Sequence, residues 1–284
     1  MHDQLDIIDR LTELSVRVER WRQRNETIAL VPTMGALHKG HLSLVELAQR
    51  SADKVIVSIF VNPKQFGEGE DLDTYPRDLA GDVGLLAKTG ADLVYAPTAK
   101  QIYPDGFSTK ISVTGLSSGL CGASRPQFFD GIATVVTKLL LHCRPDMAIF
   151  GEKDYQQLLV IRRLARDLDL PVEIVGGPII RESDGLALSS RNIYLSPAER
   201  RTAPLLHKSL MEAAQRLVEG QEMSAVFAKI SARLSKAGFQ LDYFELRDAQ
   251  TLAPAERFHE APLRLLIAAQ LGRTRLIDNI AVIG

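Results

Sequence analysis

The sequence predicts an α/β fold, in which helices cover both faces of a parallel sheet and a smaller α+β domain follows at the C-terminal end. Short continuous apolar runs alternate with segments of helical periodicity through most of the chain. Such runs are typical of parallel strands that are buried on both faces. Beyond Pro197 the alternation gives way to consecutive helices and then strand-like pieces, which indicates a separate α+β unit.

The first part of the chain provides the strands and helices of the parallel sheet. Runs rich in β-branched residues predict strands, and apolar residues three or four apart predict helices. In order, the pattern predicts a helix over 5–21, a strand over 28–31, a helix from near residue 40, a strand over 54–61, a helix over 79–87, a strand over 92–95, a helix over 132–140, a strand over 147–150, a helix over 157–164 and a strand over 172–175. Residues 108–125 give no clear prediction.

The last part of the chain has a different pattern. Pro197 directly after Ser196 is a good signal for the start of a helix. We expect a domain boundary near Asp184, and the smaller second part is suited to act as a lid over the mouth of the sheet. Its predicted elements are helices over 197–217 and 224–237 and strand-like pieces over 241–246, 263–269 and 275–280.

Composition limits the classes of protein that the chain can belong to. Its 284 residues contain 34 Lys and Arg against 35 Asp and Glu, so the formal net charge is -1. This balance offers no overall electrostatic field to attract nucleic acid or an anionic membrane, and it argues against a tRNA-binding enzyme.

Cys121 and Cys143 are too few for a disulfide framework. The acidic N-terminus is unlike a signal peptide, and no apolar run approaches the ~20 residues that cross a bilayer, so we expect a cytoplasmic protein.

Residues 28–48 predict a strand, a phosphate-binding loop and a helix in immediate succession. Pro32 ends the apolar run, and helical periodicity resumes near Gly40 or His41. The loop therefore meets a helix N-terminus, where unpaired backbone N–H groups and the helix dipole favour an anion. Gly35 and Gly40 lack side chains, so a nucleotide can approach the backbone closely.

His38 and His41 flank this junction with a spacing of three residues. At a helix start both can donate hydrogen bonds to phosphate oxygens. A zinc site is a poorer interpretation, because two histidines supply only two ligands and the chain has neither HExxH nor CxxC. The strand, the loop, the two histidines and the helix together resemble the HxGH signature of the nucleotidyl-transferring superfamily, which includes class I aminoacyl-tRNA synthetases and adenylyltransferases.

Polar residues follow two further predicted strands. Asn62 and Gln65 come after the strand over 54–61, and residues 151–154 come after the strand over 147–150. Ligands collect at the carboxyl ends of parallel strands, so we expect these groups to line a binding site. Lys153 can place a positive charge on a phosphate or a carboxylate. A plain surface turn is the alternative for each segment.

Two loops complete the candidate site. Ser189, Ser190 and Arg191 offer donors for a triphosphate, with the arginine making planar contacts. A serine nucleophile is disfavoured there because the chain has no GxSxG motif. The other loop carries carboxylates that could hold a metal, although a solvated mobile loop is the simpler interpretation because such carboxylates repel each other without a cation. Its acidic residues are Glu68, Glu70, Asp71 and Asp73.

Four separated segments, PTMGALHKGH, FVNPKQFG, FGEKDYQQ and DGLALSSRN, together resemble the pantothenate synthetase (pantoate–β-alanine ligase) family. The resemblance extends to the closing RLIDN at residues 275–279. It implies a Rossmann-like domain over residues 1–183 that binds ATP and pantoate, and a C-terminal lid domain over 184–284. It also implies Mg²⁺ and ATP-dependent condensation of (R)-pantoate with β-alanine through a pantoyl adenylate, with release of AMP and pyrophosphate, in a homodimer.

The resemblance assigns roles to individual residues. His41 takes the family's position of proton donor, and His38, Lys153 and Arg191 are the other catalytic candidates. Gln65 and Gln157 match the pantoate-binding glutamines, and Gln65 also lies near β-alanine. The implied ATP-binding residues are Met34, Gly35, Ala36, Leu37, His38, Lys39, Gly40, His41, Gly151, Glu152, Lys153, Asp154, Ile180, Leu188, Ser189, Ser190 and Arg191. Mg²⁺ is expected to bind through phosphate oxygens and water, without a protein ligand.

One segment departs from the family, and two rival functions remain. Family members commonly read Arg-Pro-Gly-His-Phe where residues 125–129 read Arg-Pro-Gln-Phe-Phe, so any role of that histidine is absent or relocated. One rival is an adenylyltransferase that acts on a phosphorylated acceptor. The other is a non-catalytic nucleotide-binding module on the same fold, against which the retained His38, His41, Lys153 and Arg191 argue.

Overall fold

The computed structural model describes residues 5–67, 69–255 and 262–283. Its strands and helices in chain order are β1 (Asp6–Ile8), α1 (Leu11–Arg22), β2 (Ile28–Thr33), α2 (Lys39–Gln49), β3 (Lys54–Ile59), α3 (Leu79–Leu86), β4 (Leu93–Tyr95), α4 (Ala99–Ile102), α5 (Cys121–Ser124), α6 (Phe128–Cys143), β5 (Met147–Gly151), α7 (Tyr155–Asp167), β6 (Glu173–Gly177), α8 (Pro197–Thr202), α9 (Leu205–Val218), α10 (Met223–Lys236), β7 (Phe239–Asp248), β8 (Leu263–Leu271) and β9 (Thr274–Val282). Short 3₁₀ turns lie at Pro63–Gln65, Glu152–Asp154 and Ser190–Tyr194. Among the described residues, none of the helices combines the length and the apolar composition that a bilayer crossing requires.

Strands β1 to β6 form a parallel sheet in the order β1-β4-β3-β2-β5-β6. From β2 the chain moves outward through β3 and β4, and it then returns to β5 on the other side of β2. The topological switch point therefore lies between β2 and β5. In open parallel sheets, ligands bind at the carboxyl ends of the strands at such a point.

Alternate side chains of β2 enter different cores on the two faces of the sheet. Ile28 and Leu30 belong to the core that α1, α6 and α7 cover. Ala29 and Val31 belong to the core that α2 and α3 cover. All four side chains are fully buried, which explains the unbroken apolar run in the sequence. The predicted parallel sheet with helices on both faces is confirmed.

The C-terminal part forms the smaller α+β unit that the sequence predicts. Strands β7, β8 and β9 make an antiparallel sheet, and α9 and α10 cover one of its faces. Leu265 and Ile267 of β8 point into that local core. Leu266 of the same strand and Tyr243 pack against the core of the first sheet. The second sheet thus packs against its own helices and against the core of the first unit. The boundary near Asp184 stays a prediction.

Two predicted helices are wrong in their bounds, for different physical reasons. The stripe over 5–21 is interrupted, because Asp6–Ile8 pair with β4 as an edge strand and the helix begins only at Leu11. A pairing distant in sequence overrides the local helical spacing there. The helix predicted over 197–217 is split into α8 and α9 at Pro204, which has no N–H to continue the hydrogen-bond ladder.

Candidate active site

A cavity of about 990 Å³ opens at the carboxyl ends of β2 and β5, where the C-terminal part covers the sheet. Its volume is that of a pocket for a drug-sized or larger ligand. Gly35, Ala36, Leu37, Lys39 and Glu152 are the predicted ATP-binding residues that do not line it. The predicted site residues that do line it are Met34, His38, Gly40, His41, Gln65, Gly151, Lys153, Asp154, Gln157, Ile180, Leu188, Ser189, Ser190 and Arg191.

His38 and His41 close a capping box at the N-terminus of α2. The Nδ1 atom of His38 accepts from the Gly40 N–H at 3.1 Å, and the Nδ1 atom of His41 accepts from the His38 N–H at 3.4 Å. Since both Nδ1 atoms accept, each neutral ring carries its proton on Nε2. The ring centroids are 4.1 Å apart, and both side chains line the cavity. The pair thus holds two hydrogen-bond donors at a helix start.

Both imidazoles are neutral at physiological pH. Burial, reinforced by the charge of Lys153 and opposed by Asp154, lowers the pKa of His38 to about 4. Burial, with His38 and Lys153 as further causes, lowers the pKa of His41 to about 3. Each ring can therefore donate its Nε2 proton without first gaining a positive charge.

The loop between β2 and α2, residues 34–37, binds the side-chain carboxylate of Asp82. Gly35 has φ +79° and Ala36 has φ +50°, a pair of left-handed residues that turns successive N–H groups inward. The Asp82 carboxylate accepts from the Ala36 N–H at 2.9 Å and from the Leu37 N–H at 2.7 Å. Asp82 comes from α3 and is only 4% exposed. Those two N–H groups therefore fix the loop and are not free for a phosphate.

Gln65 is held in place by a buried asparagine. Asn62 is 1% exposed, and its Nδ2 atom donates to Gln65 Oε1 and to the Gly131 carbonyl, each at 3.1 Å. Its Oδ1 atom accepts from the Tyr103 hydroxyl at 2.8 Å. Asn62, expected at the binding surface, lines the cavity, but its side-chain hydrogen bonds join the Pro63–Gln65 turn to Gly131 of α6 and to Tyr103. Gln65 in turn contacts Met34 Sδ with its amide nitrogen at 2.8 Å.

Arg191 and Asp71 form a bidentate ion pair in the wall of the cavity. The guanidinium Nε and Nη2 atoms lie 2.8 Å from the two carboxylate oxygens. Burial raises the pKa of Asp71, but the hydrogen bonds and charge of Arg191 lower it more, so the net pKa is below its usual value. Ser190 Oγ donates to the Ala36 carbonyl at 3.1 Å, which joins this segment to the β2–α2 loop. Arg191 is thus partly neutralised before any ligand binds.

The acidic loop does not form a metal cage in the described part of the chain. Asp71 pairs with Arg191, and Glu70 lies 3.7 Å from Arg125. Glu68 lies outside the described residues. No group of three or more His, Cys, Asp or Glu side chains within residues 5–67, 69–255 and 262–283 is arranged to hold a metal ion.

Residues 125–129 place an aromatic ring in the cavity wall. The Arg125 guanidinium stands 3.5 Å from the ring centroid of Phe128, and both side chains line the cavity. This is cation–π geometry. Phe128, at the position where the resemblance implies a histidine, thus has a ring that cannot ionise and that stacks against the guanidinium.

Sequence reasoning missed two residues that organise the site, Asp82 and Asn279. Asp82 lies 45 residues from its partner Leu37, and Asn279 lies 126 residues from the carbonyl of Lys153 that it binds. Neither contact has a local signature, because an acidic residue on a helix and an asparagine on a strand are ordinary in themselves. For Asn279 the only signal was its position in the closing RLIDN segment.

The similarity to known proteins covers nearly the whole chain. The family model for pantoate-beta-alanine ligase matches residues 6–281. A pantothenate synthetase of Bradyrhizobium sp. is 55% identical over 273 residues, which are 96% of each chain. The crystal structure of pantothenate synthetase from Thermus thermophilus superposes with a TM-score of 0.93 at 44% identity, over 99% of this chain and 100% of that one. A pantoate-beta-alanine ligase of Francisella tularensis, solved with β,γ-ATP and β-alanine, gives a TM-score of 0.81 at 33% identity over 97% of each chain.

Proposed function

The chain belongs to the pantoate–β-alanine ligase family, and from this premise we propose how its cavity carries out the reaction. The enzyme is an ATP-dependent ligase that forms the amide bond between pantoate and β-alanine. The site roles, the intermediate and the metal described below are our proposal. The observation that carries it is the convergence of the α2 N-terminus, the Glu152–Asp154 turn and residues 188–191 on one cavity at the switch point.

We propose that the reaction proceeds in two steps through a pantoyl adenylate. A pantoate carboxylate oxygen attacks the α-phosphorus of ATP, and pyrophosphate leaves with the electrons of the broken P–O bond. The β-alanine amine then attacks the acyl carbon, AMP leaves and the amine loses a proton. The first step makes a poor electrophile reactive, so the protein chiefly positions groups and balances phosphate charge.

The phosphates are proposed to lie between the two histidines and the cations. With both Nδ1 atoms bonded to backbone N–H groups, His38 and His41 have their Nε2 protons left to donate to a phosphate at the dipole-positive end of α2, and Lys153 and Arg191 bring positive charge. His41, as the proposed proton donor, would stabilise negative charge that develops on the phosphate. Because Asp82 occupies the N–H groups of Ala36 and Leu37, these donors and the hydroxyls of 189–190 are the better candidates for phosphate contacts.

The acid and the amine are proposed to bind between Gln65, which follows β3, and Gln157 of α7. Both side chains line the cavity and offer amide donors and acceptors for the hydroxyls and carboxylate of (R)-pantoate. The Asn62 amide fixes the side-chain oxygen of Gln65, so the Gln65 amide nitrogen is directed away from the turn. We place β-alanine beside Gln65, where its amine can reach the acyl carbon.

Mg²⁺ is proposed to enter on the triphosphate. Among the described carboxylates that line the cavity, Glu70, Asp71 and Asp278 are paired with arginines, so at most Asp73 and Asp154 would add carboxylate ligands. That donor set fits Mg²⁺, which keeps several waters and binds mostly to substrate phosphates. When bound, the ion supplies charge neutralisation at the phosphates.

We also infer a cytoplasmic homodimer. The location is supported by two buried free cysteines and by the homology to biosynthetic enzymes, and the dimer rests on the family resemblance. Light scattering of the purified protein distinguishes a dimer from a monomer.

Product analysis with Mg-ATP and pantoate, with and without β-alanine, tests the proposed function. We expect AMP, pyrophosphate and pantothenate in equal amounts when all substrates are present. His41→Ala and Lys153→Ala should each lower the rate. The expected rise in activation free energy is roughly 3 kcal/mol, the value for one lost transition-state donor. Lys236→Ala, an exposed lysine in the last turn of α10, is the control. Near-normal turnover in either site variant would contradict its assigned role.

A further inference from the structure

The closing RLIDN segment reaches from the C-terminal sheet to the turn that carries Lys153. Asn279 of β9 is 2% exposed, and its Nδ2 atom donates to the backbone carbonyls of Glu152 and Lys153, each at 3.0 Å. Both donors of one side-chain amide therefore bind consecutive carbonyls of the Glu152–Asp154 turn. A buried amide with both donors in use has little freedom to move.

Asn279 is itself held from the other side. The Arg264 Nε atom of β8 donates to Asn279 Oδ1 at 2.6 Å, and the Arg264 Nη2 atom lies 3.0 Å from Glu152 Oε2. The Arg264 guanidinium also stands 3.6 Å from the ring centroid of Tyr155, the first residue of α7. The neighbouring strands β8 and β9 thus both contact the Glu152–Asp154 turn.

Asp278, the residue before Asn279 on β9, connects this strand with the segment that leads to residues 188–191. Asp278 accepts from Arg181 at 2.6 and 2.9 Å, and Arg181 forms an isolated bridge with Ala187, directly before Leu188. Asp278 also accepts from the Asn279 N–H at 2.7 Å. Two consecutive residues of β9 therefore connect the Lys153 turn with the segment that leads to residues 188–191.

We propose that Asn279 is a positioning residue for Lys153, and this inference rests on the phosphate role proposed for Lys153. The Asn279 amide sets the path of the turn backbone and so fixes where the Lys153 side chain enters the cavity. The C-terminal sheet thereby takes part in charge placement, because a displacement of β9 necessarily displaces or releases the Lys153 turn.

A double-mutant cycle on the whole enzyme tests the inference. Asn279→Asp keeps the acceptor for Arg264 but removes both donors and sets a carboxylate against two carbonyls. We expect kcat to fall about 10- to 100-fold, the scale of a small misplacement of a reacting group, while the KM for ATP changes less than kcat. In the Lys153→Ala background the same substitution should change kcat by less than about twofold, because the group that it positions is gone.

The cycle separates failure of the inference from failure of the proposed function. If Asn279→Asp lowers kcat by the same factor in both backgrounds, Asn279 does not act through Lys153, and the inference is overturned while the role of Lys153 stands. If Lys153→Ala alone turns over normally, the proposed role and the inference both fall.

Two further variants guard against a purely structural effect. Ser209→Ala removes a buried hydroxyl of α9 that accepts from Arg233 of α10, and we expect it to lower the melting temperature without changing kcat. If Asn279→Asp does not fold, Arg264→Lys replaces it, because lysine cannot serve both Asn279 and Glu152 as the arginine fork does. Its kcat loss must likewise vanish in the Lys153→Ala background, and persistence there would overturn the inference.

Discussion

Asp82 occupies the place in the β2–α2 loop where the sequence alone would put a phosphate. Its two hydrogen bonds hold Gly35 and Ala36 in a left-handed conformation that is costly for a residue with a side chain. The phosphate contact that the loop pattern Pro-Thr-Met-Gly-Ala predicts stays a prediction, and the pattern did not reveal the Asp82 carboxylate that the loop binds. The reason is physical, since the carboxylate comes from a helix 45 residues further along the chain.

Replacing Asp82 tests this arrangement directly. Asp82→Asn keeps one acceptor oxygen but turns an NH₂ group toward a backbone N–H. Loss of a charged hydrogen bond of about 2 kcal/mol should loosen the loop and raise the Kd for ATP about tenfold or more. Asp78→Asn is the matched control, because Asp78 caps the same helix through the Gly81 N–H and does not contact the loop. Equal ATP affinity in Asp82→Asn and the control would contradict the role of Asp82.

The two histidines predict a specific pH dependence. Their lowered pKa values, about 4 for His38 and about 3 for His41, mean that both rings stay neutral above about pH 5 and gain charge only below it. The rate of pantoate adenylation should therefore show no inflection near 6.5, where an ordinary imidazole titrates. A pH profile between 4.5 and 8, measured for the enzyme and for His41→Gln, checks this. An inflection near 6.5 that disappears in the variant would contradict the assignment.

At the scale of elements, the approach of α6 to the Pro63–Gln65 turn sets the position of Gln65. Gly131 allows it, because a Cβ atom there would lie 2.0 Å from the Lys64 carbonyl oxygen. The same glycine offers its own carbonyl to Asn62. The turn and the helix are therefore fitted to each other at one residue without a side chain.

Gly131→Ala is expected to push the turn away from α6. The overlap should lower the free energy of unfolding by about 1–3 kcal/mol and raise the KM for pantoate several-fold. Gly84→Ala is the control, since Gly84 is a helical glycine with open space around it and should stabilise the protein by up to about 1 kcal/mol with unchanged kinetics. Thermal unfolding and pantoate kinetics of both variants test this, and unaltered pantoate KM in Gly131→Ala would count against it.

Local patterns predicted the elements where burial and periodicity agree. The β2 strand and the α2 helix, which begins at Lys39, carry strong local signals in an apolar run and a polar helix start. The predicted end of the strand at Pro32 is wrong, because Pro32 and Thr33 still pair with β3. β1 was mistaken for helix because its three residues fit a helical stripe and only pairing with β4 makes them a strand. Asn62 was recognised as a strand-end residue, but its internal role depends on α6 and Tyr103, which no local pattern reveals.

At the scale of the molecule, the C-terminal part both covers the cavity and makes apolar and hydrogen-bond contacts with the first part of the chain. Leu266 and Tyr243 pack into the first core, and Asn279 binds the Lys153 turn. A lid that moves as a unit must therefore carry this turn with it or break buried hydrogen bonds. ATP, by bridging residues on both sides, is expected to hold the two parts together.

Limited proteolysis tests the predicted lid. With saturating Mg-ATP, cleavage in the connector after β6 and in the C-terminal part should slow several-fold relative to the protein without nucleotide. An unrelated unfolded substrate digested under the same conditions controls for an effect of ATP on the protease. Identical digestion patterns with and without ATP would speak against nucleotide-dependent closure.

The central claim is that this cavity forms a pantoyl adenylate, and exchange of labelled pyrophosphate into ATP measures that step alone. We predict exchange that requires Mg²⁺ and pantoate, proceeds without β-alanine and falls at least about 100-fold in Lys153→Ala. Pantothenate formation without any pantoate-dependent exchange would contradict the adenylate route and the site assignment built on it.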